Sequence, residues 1–130
     1  GFNQSMRFDA VINRFAFDAN FEKKLDIHGD GRQERSFIHV DKAATILTQL
    51  IDKDLPAGIY NLVETNRSVM DIALTLKDIF PDLEMQFINQ HLQLRNLSVD
   101  TECKIYQYFA RTESNFQLEM EHMISQFAFH

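Results

Sequence analysis

The chain has 130 residues and an acidic balance, with 13 lysines and arginines against 19 aspartates and glutamates and a formal net charge of −6. This length predicts one domain over 1–130, and the negative charge argues against a nucleic-acid partner. No apolar run approaches the ~20 residues that cross a bilayer, the first residues have no secretory signal pattern, and a single cysteine favours a reducing, cytoplasmic compartment.

The first element in chain order is a helix predicted over about 5–21, with Ser5 as its N-cap. Phe17 and Phe21 lie outside its main apolar stripe, so we expect this helix to be covered on more than one side. Residues 25–28 alternate apolar and polar side chains, which predicts a short, half-buried strand. The apolar stripe of the helix consists of Phe8, Val11, Ile12, Phe15 and Ala19.

A turn, a strand and a second helix follow. Gly-Asp-Gly at 29–31 is a turn signal, because both glycines tolerate positive φ angles. Residues 36–40 predict the next strand, and Asp41 is the expected N-cap of a helix over about 42–53. The expected buried face of that helix consists of Ala43, Ile46, Leu47, Leu50 and Ile51.

The second half of the chain predicts two more strands and two more helices. The apolar run at 59–63 is the best strand candidate in the sequence, and 85–88 predicts another strand. A capping-box pattern at 68–71 begins a helix that ends near residue 80, and Ser114 begins a last helix that extends to about 127. Short strands scattered between helices predict a mixed α+β arrangement of the α/β class. This arrangement is either a compact assembly of its own or the second half of a larger structure.

Motifs for metal binding and nucleophilic catalysis are missing from the sequence. It contains no Cys-x-x-Cys, His-Glu-x-x-His or Gly-x-Ser-x-Gly, and its four glycines make no phosphate-binding loop. Cys103, beside Lys104, is more simply a small, partly buried residue than a nucleophile.

Arg35, at the entry to a strand, presents a guanidinium fork that suits a diphosphate. Without further information, an exposed Arg35 that pairs with Glu34 or Asp30 is the simpler interpretation.

The same segment resembles a known family. Leu-Asp-Ile-His-Gly-Asp-Gly at 25–31 and Arg-Ser-Phe-Ile-His-Val-Asp at 35–41 look like motifs of the NAD-dependent epimerase/dehydratase family, the extended short-chain dehydrogenases. Residues 6–13 are similar to the family's preceding helix, and Tyr-Asn-Leu at 60–62 resembles a later strand. The resemblance covers about 6–100, in the family's order. It implies that the chain is the C-terminal, substrate-binding part of such an enzyme, without the Rossmann half.

The resemblance also implies where a nucleoside diphosphate sugar binds. Arg35 matches the arginine that contacts the diphosphate, and Arg95 lies where a second diphosphate arginine is expected, although the family's Arg-Pro-Gly-Asp motif is absent. Asp26 and His28 lie on the strand that runs along the nucleobase. The other implied substrate-binding residues, at the substrate-facing end of the first helix, are Asp9, Ala10 and Asn13.

Two functions follow as alternatives. In the first, the chain is the nucleotide-sugar-binding portion of an NAD(P)-dependent epimerase, dehydratase or reductase. The glycine-rich loop and Tyr-x-x-x-Lys are absent from this sequence, so we expect NAD or NADP in the full-length enzyme, and neither cofactor nor catalysis on this chain alone. In the second, the chain is a non-catalytic interaction module that has lost the Rossmann half. Apolar surface that would otherwise lack cover, including Phe8, Phe15, Phe17 and Phe21, predicts self-association or disordered segments in the isolated chain.

Overall fold

Four helices and four strands make up the part of the chain, residues 1–127, that the computed structural model describes. Short 3-10 turns occupy Leu50–Asp52 and Lys104–Gln107. The predicted mixed α/β class is confirmed. In chain order the elements are α1 (Val11–Phe21), β1 (Lys24–His28), β2 (Glu34–Phe37), α2 (Val40–Gln49), β3 (Thr65–Ser68), α3 (Val69–Ile79), β4 (Glu84–Ile88) and α4 (Phe116–Ser125).

The strands form two separate pairs. β1 and β4 run in parallel, and Leu25 and Ile27 are fully buried while their neighbours along β1 are exposed, so the predicted alternation is confirmed. The strand predicted at 85–88 is also confirmed and starts one residue earlier. β2 and β3 run antiparallel, with Arg35 directly opposite Arg67. Parallel strands need a long connection between them. Here the connection contains β2, α2, β3 and α3.

The main core lies between α1, α3, α4 and the β1–β4 pair. The predicted capping box of α3 is confirmed: the Ser68 hydroxyl accepts from the Asp71 N–H at 3.0 Å, and the Asp71 carboxylate accepts from the Ser68 N–H at 3.0 Å. Helix α3 then buries Ile72 and Leu76 completely, each contributing about 1.5–3 kcal/mol of transfer free energy. A second apolar cluster joins α2 to the loops around it and consists of Ile46, Val63, Cys103, Ile105 and Phe109.

The helix predicted from Ser5 begins only at Val11, so the prediction is wrong for its first six residues. Ala10 occupies the N-cap position and makes no side-chain cap. The Asn13 amide instead donates to the Arg7 carbonyl at 2.9 Å, within the turn that precedes the helix. Such local side-chain bonds to the backbone compete with helix formation, which explains the late start.

Aromatic rings cover the second side of α1, as expected. Phe17 lies 5.1 Å from Phe8, 4.6 Å from Phe21 and 6.1 Å from Phe127, measured between ring centroids. Phe15, on the predicted stripe, is buried, while Phe8 and Phe21 stay about half exposed. Part of the apolar surface on which we based self-association is therefore covered within the chain, and self-association itself stays a prediction.

The second helix begins earlier than predicted, and Asp41 is not its N-cap. His39 has the extended backbone of an N-cap residue, and its Nδ1 accepts from the Asp41 N–H at 3.2 Å. The preceding strand therefore ends at Phe37 instead of residue 40. The acceptor here is a histidine ring nitrogen. The N-cap was predicted at Asp41 because Asp, Ser, Thr and Asn are the preferred N-cap residues.

The predicted face of α2 is buried only in part, because Ala43 and Leu50 are half-buried and Leu47 and Ile51 are exposed. Only Ile46 is buried, while Ile51 is 83% and Leu47 is 58% exposed. The helix also ends at Gln49 and continues as the 3-10 turn at Leu50–Asp52, short of residue 53. Apolar periodicity identifies which face of a helix can be buried, but burial needs a neighbour, and residues 1–127 cover Ile46 and part of Leu50 but not Leu47 or Ile51.

The strand predicted at 59–63 is wrong. That segment has no strand partner among the described residues, and Ile59 is 96% exposed. Pairing begins one residue later, where the Glu64 N–H donates to the Phe37 carbonyl at 2.9 Å, and β3 follows at Thr65–Ser68. A strand needs a neighbouring backbone to pair with as well as residues of high β propensity. Here β2 pairs with Thr65–Ser68, which is more polar than the predicted segment at 59–63.

The cap of the last helix also differs from the prediction. Asn115 is the N-cap of α4, and its Oδ1 accepts from the Leu118 N–H at 3.1 Å. The Ser114 hydroxyl donates to the Glu119 carboxylate at 3.3 Å instead of capping the helix. Asn and Ser are comparable N-cap residues, so the choice between adjacent positions depended on the fold.

Candidate functional site

The Gly-Asp-Gly turn joins β1 to β2 and is tightly packed. Gly29 and Gly31 have φ angles of +72° and +76°, which side chains rarely tolerate. A Cβ on Gly29 would lie 2.8 Å from the Leu92 carbonyl, and one on Gly31 would lie 3.2 Å from Met70. The turn is therefore filled from both sides and does not fit the phosphates of a dinucleotide. Its packing brings the loop around Leu92 beside the end of β1.

Arg35 lies on β2 and binds the backbone of that same loop. Its Nη1 donates to the Glu34 carbonyl and to the Arg95 carbonyl, each at 2.7 Å. The loop is also tied to β2 by the Asn96 side chain, which accepts from the Glu34 N–H at 3.0 Å. The two arginines predicted for a diphosphate are thus brought together. Within residues 1–127 neither guanidinium pairs with a carboxylate, so the expected pairing of Arg35 with Glu34 or Asp30 does not form.

Asp26 and His28 lie on the exposed face of β1. Asp26 pairs with Lys24 at 3.8 Å, and the His28 carbonyl accepts from the Gln33 amide at 3.0 Å. Gln33 is buried, and its Oε1 has no hydrogen-bond partner among the described residues. Gln33 was not predicted as a site residue, because a single glutamine between a turn and a strand carries no signal that its side chain supports the turn.

A cavity of about 550 Å³ opens between residues 1–13, the end of β2 and α4. Of the predicted site residues, Ala10 and Asn13 line it, whereas Asp9 does not line it and pairs at 2.5 Å with Arg7, which does. The predicted residues that the structure brings near one another therefore form two groups, Ala10 with Asn13 at this cavity and Arg35 with Arg95, while Asp26 and His28 lie on β1. Phe37 connects the two groups, because it lines the cavity and follows Arg35 by two residues on β2, which places both side chains on one face.

Arg67 was not predicted and lies directly opposite Arg35 in the β2–β3 pair. Its guanidinium carbon is 4.8 Å from the centre of the Phe116 ring. The Nε atom is buried and has no hydrogen-bond partner in the described part of the chain. Only the register of the two strands reveals this neighbour of Arg35.

A partly buried ion cluster borders the same cavity and was also missed. The Lys42 ammonium contacts the Glu64 carboxylate and binds Glu119 Oε1 at 2.7 Å, linking α2 to α4. Burial alone raises the pKa of Glu64, but the hydrogen bond from Lys42 and that from the His39 backbone outweigh it, so the net pKa is lowered. Burial likewise lowers the pKa of Lys42, and its bonds to Glu119 and Glu64 raise it overall.

Residues 1–127 contain neither a metal-binding cluster nor a membrane-spanning helix. No group of three or more His, Cys, Asp or Glu side chains in 1–127 is placed to hold a metal ion. Over the same residues, every helix is too short or too polar to cross a membrane.

Comparison with solved structures shows which fold this is. A NAD-dependent NDP-hexosamine 5,6-dehydratase, TunA, involved in tunicamycin biosynthesis, superposes on 95% of this chain with a TM-score of 0.78 at 18% identity. UDP-glucuronic acid 4-epimerase from Bacillus cereus, in complex with UDP-glucuronic acid and NAD, covers 98% with a TM-score of 0.75 at 19% identity. The fold is that of one part of an NAD-dependent epimerase or dehydratase. The resemblance identified from the sequence is confirmed at this level.

A curated relative agrees with the structural matches. A trifunctional UDP-glucose 4,6-dehydratase, UDP-4-keto-6-deoxy-D-glucose 3,5-epimerase and UDP-4-keto-L-rhamnose-reductase from Arabidopsis thaliana is 30% identical over 84 residues. That match covers 62% of this chain and 13% of the relative, and the chain spans 41% and 43% of the two solved structures. No protein-family model matches the chain.

Proposed function

We propose that this chain is the C-terminal, substrate-binding part of a cytoplasmic, NAD(P)-dependent enzyme that acts on a nucleoside diphosphate sugar. The observation that carries the proposal is the 2.7 Å hydrogen bond from the Arg35 guanidinium to the Arg95 carbonyl. It brings together two arginines that are 60 residues apart in the sequence. Carboxylates outnumber cationic side chains in this chain, yet neither arginine pairs with one in 1–127. Neighbouring arginines that pair with no carboxylate suit a ligand that carries two phosphates.

The other predicted residues are assigned to the ends of the same ligand. Asp26 and His28, on the exposed face of β1, are proposed to face the nucleobase. Ala10 and Asn13, with Asp9 beside them, are proposed to contact the sugar. The cavity of about 550 Å³ that Ala10 and Asn13 line lies within the usual range for small-molecule sites, roughly 300–1,000 Å³.

This chain's contribution is binding and positioning. NAD or NADP would supply hydride transfer, but the glycine-rich loop that holds a dinucleotide is absent from the sequence, and the Gly29–Gly31 turn is packed by Leu92 and Met70. The proposal therefore assigns the cofactor and the proton-transferring tyrosine to other parts of a full-length enzyme.

Binding of UDP-glucose to the protein that carries this chain tests the proposal. We expect Arg35→Ala to weaken binding at least about tenfold in calorimetric titration, because a charge-assisted bond to phosphate is lost. Arg14→Ala is the matched control, since it removes the same charge from an exposed arginine that pairs with Asp18, and it should leave the Kd within about twofold. Equal affinity of the wild type and Arg35→Ala would show that Arg35 does not hold the diphosphate.

The second candidate is a non-catalytic module that associates with another copy of itself. The exposed apolar residues of α2 and of the segment that follows, Leu47, Ile51 and Ile59, favour it. Sedimentation velocity of the wild type and of a Leu47→Glu/Ile51→Glu double variant tests this candidate. An oligomer that dissociates in the double variant, together with no binding of UDP-glucose, would favour the module over the enzyme part.

A further inference from the structure

Arg67 is a cation in an unusual position. It lies on β3 directly opposite Arg35, and two like charges at opposite positions of an antiparallel pair destabilise the pair. Carboxylates are in excess in this chain, 19 against 13 cations, yet no described residue forms an ion pair or a hydrogen bond with the Arg67 side chain. The fold thus keeps two arginines side by side without a carboxylate between them.

The Phe116 ring holds the Arg67 guanidinium in place. The guanidinium carbon is 4.8 Å from the ring centre, which is within the range of a cation–π contact. The Nε edge is buried and has no acceptor among residues 1–127. A buried donor without an acceptor is costly, and the cost is higher for a charged group. An anion bound by the rest of this guanidinium group would offset part of the cost of holding the charge here.

The β2–β3 face that carries both arginines also forms a wall of the large cavity. Phe37 and Thr65 are the next opposite pair on that face, and both line the cavity of about 550 Å³, as does Phe116. Side chains two residues apart on a strand share a face, so Arg35 and Arg67 lie on the cavity side of this sheet. An anion bound at Arg35 is therefore within the reach of an arginine directly across the strand pair.

We propose that Arg67 is a third cation of the anion site and binds the diphosphate together with Arg35 and Arg95. This inference rests on the function proposed above and adds a residue that neither the sequence motifs nor the comparisons point to. Two forked guanidinium groups fixed on neighbouring strands fit the several oxygens of a diphosphate better than one. The same contact explains why the fold keeps like charges opposite one another.

NMR titration of the protein that carries this chain with UDP and with uridine tests the role of Arg67. Arg67→Met keeps an unbranched side chain over Phe116 and removes the charge. We expect it to weaken UDP binding about tenfold while uridine binding stays within about twofold, because only UDP carries the phosphates. Arg67→Lys keeps a charge but not the planar fork, so we expect an intermediate loss for UDP.

Several outcomes would overturn the inference. UDP affinity within twofold of the wild type in Arg67→Met would show that Arg67 only packs on Phe116. Equal loss for UDP and uridine would show a structural role. If Arg67→Met does not fold, Arg67→Lys decides by the same comparison of UDP with uridine. Failure of the wild type to bind UDP would refute the proposed function itself, whereas UDP binding that depends on Arg35 but not on Arg67 would refute only this inference.

Discussion

Replacing Lys42 by Met removes the cation that two carboxylates share. Lys42 contacts Glu64 and binds Glu119 at 2.7 Å, and the three side chains are 18%, 8% and 26% exposed, respectively. Breaking a fully buried pair by removing one partner costs ~3–5 kcal/mol, because the other charge stays buried without compensation. Glu119 is a quarter exposed and can be hydrated, so we expect a loss of about 2–3 kcal/mol in the free energy of unfolding, mostly from Glu64.

Urea denaturation followed by circular dichroism measures this loss. In thermal denaturation of a chain of this length, the same loss in the free energy of unfolding corresponds to a fall in Tm of roughly 10 °C. The matched variant is Lys42→Met/Glu64→Gln, which removes the stranded carboxylate as well. We expect the double variant to recover at least about 1 kcal/mol relative to Lys42→Met, because its buried residue is neutral.

The loss should also depend on pH. The pKa of Glu64 lies below its ordinary value of 4.5 in the folded chain, so its contribution to stability is present above that value and is lost as the pH falls through the folded pKa. The pKa of Lys42 is raised, so its contribution is present below the ordinary value of 10.5 and is lost only as the pH rises above that range. We therefore expect the difference between the wild type and Lys42→Met to be large near pH 7 and smaller in acid.

Three results would contradict this reasoning about the ion cluster. A loss below about 0.5 kcal/mol would mean that solvent screens the pair as it does at an open surface. A double variant no more stable than Lys42→Met would mean that Glu64 is not stranded when Lys42 is removed. A difference that grows in acid would mean that the carboxylates are not the source of the loss.

Three other variants test the packing and the turns by urea denaturation. Leu76→Ala should cost ~2–5 kcal/mol because Leu76 is fully buried, whereas Leu74→Ala, on the exposed side of α3, should cost less than about 1 kcal/mol; similar losses would contradict the assigned core. Ser68→Ala should cost about 1 kcal/mol through loss of the capping box, and an unchanged midpoint would refute that role. Gly31→Ala should cost ~1–2 kcal/mol because of its φ of +76°, while Gly58→Ala meets nothing closer than 3.8 Å and should cost under about 0.5 kcal/mol; equal costs would rule out strain at Gly31.

The site could be predicted only where its residues belong to a local motif. Arg35 was identified because a glycine turn, an arginine and a strand follow one another within a few residues. Its closeness to the Arg95 carbonyl depends on the packing of the Gly29 turn against a loop some 60 residues away. Arg67 lies in a polar run, Thr-Asn-Arg-Ser, that carries no motif, and only the pairing of β2 with β3 gives it a place beside Arg35.

The sequence by itself determined the elements whose causes are local. The alternation at 25–28, the positive-φ turn at 29–31 and the capping box at 68–71 each act over a few residues, and all three are confirmed. Tertiary structure alone decided whether an apolar pattern is buried and whether an extended segment becomes a strand. Leu47 and Ile51 stay exposed and 59–63 stays unpaired, while the more polar β3 pairs with β2, because burial and strand pairing each require a partner that periodicity does not specify.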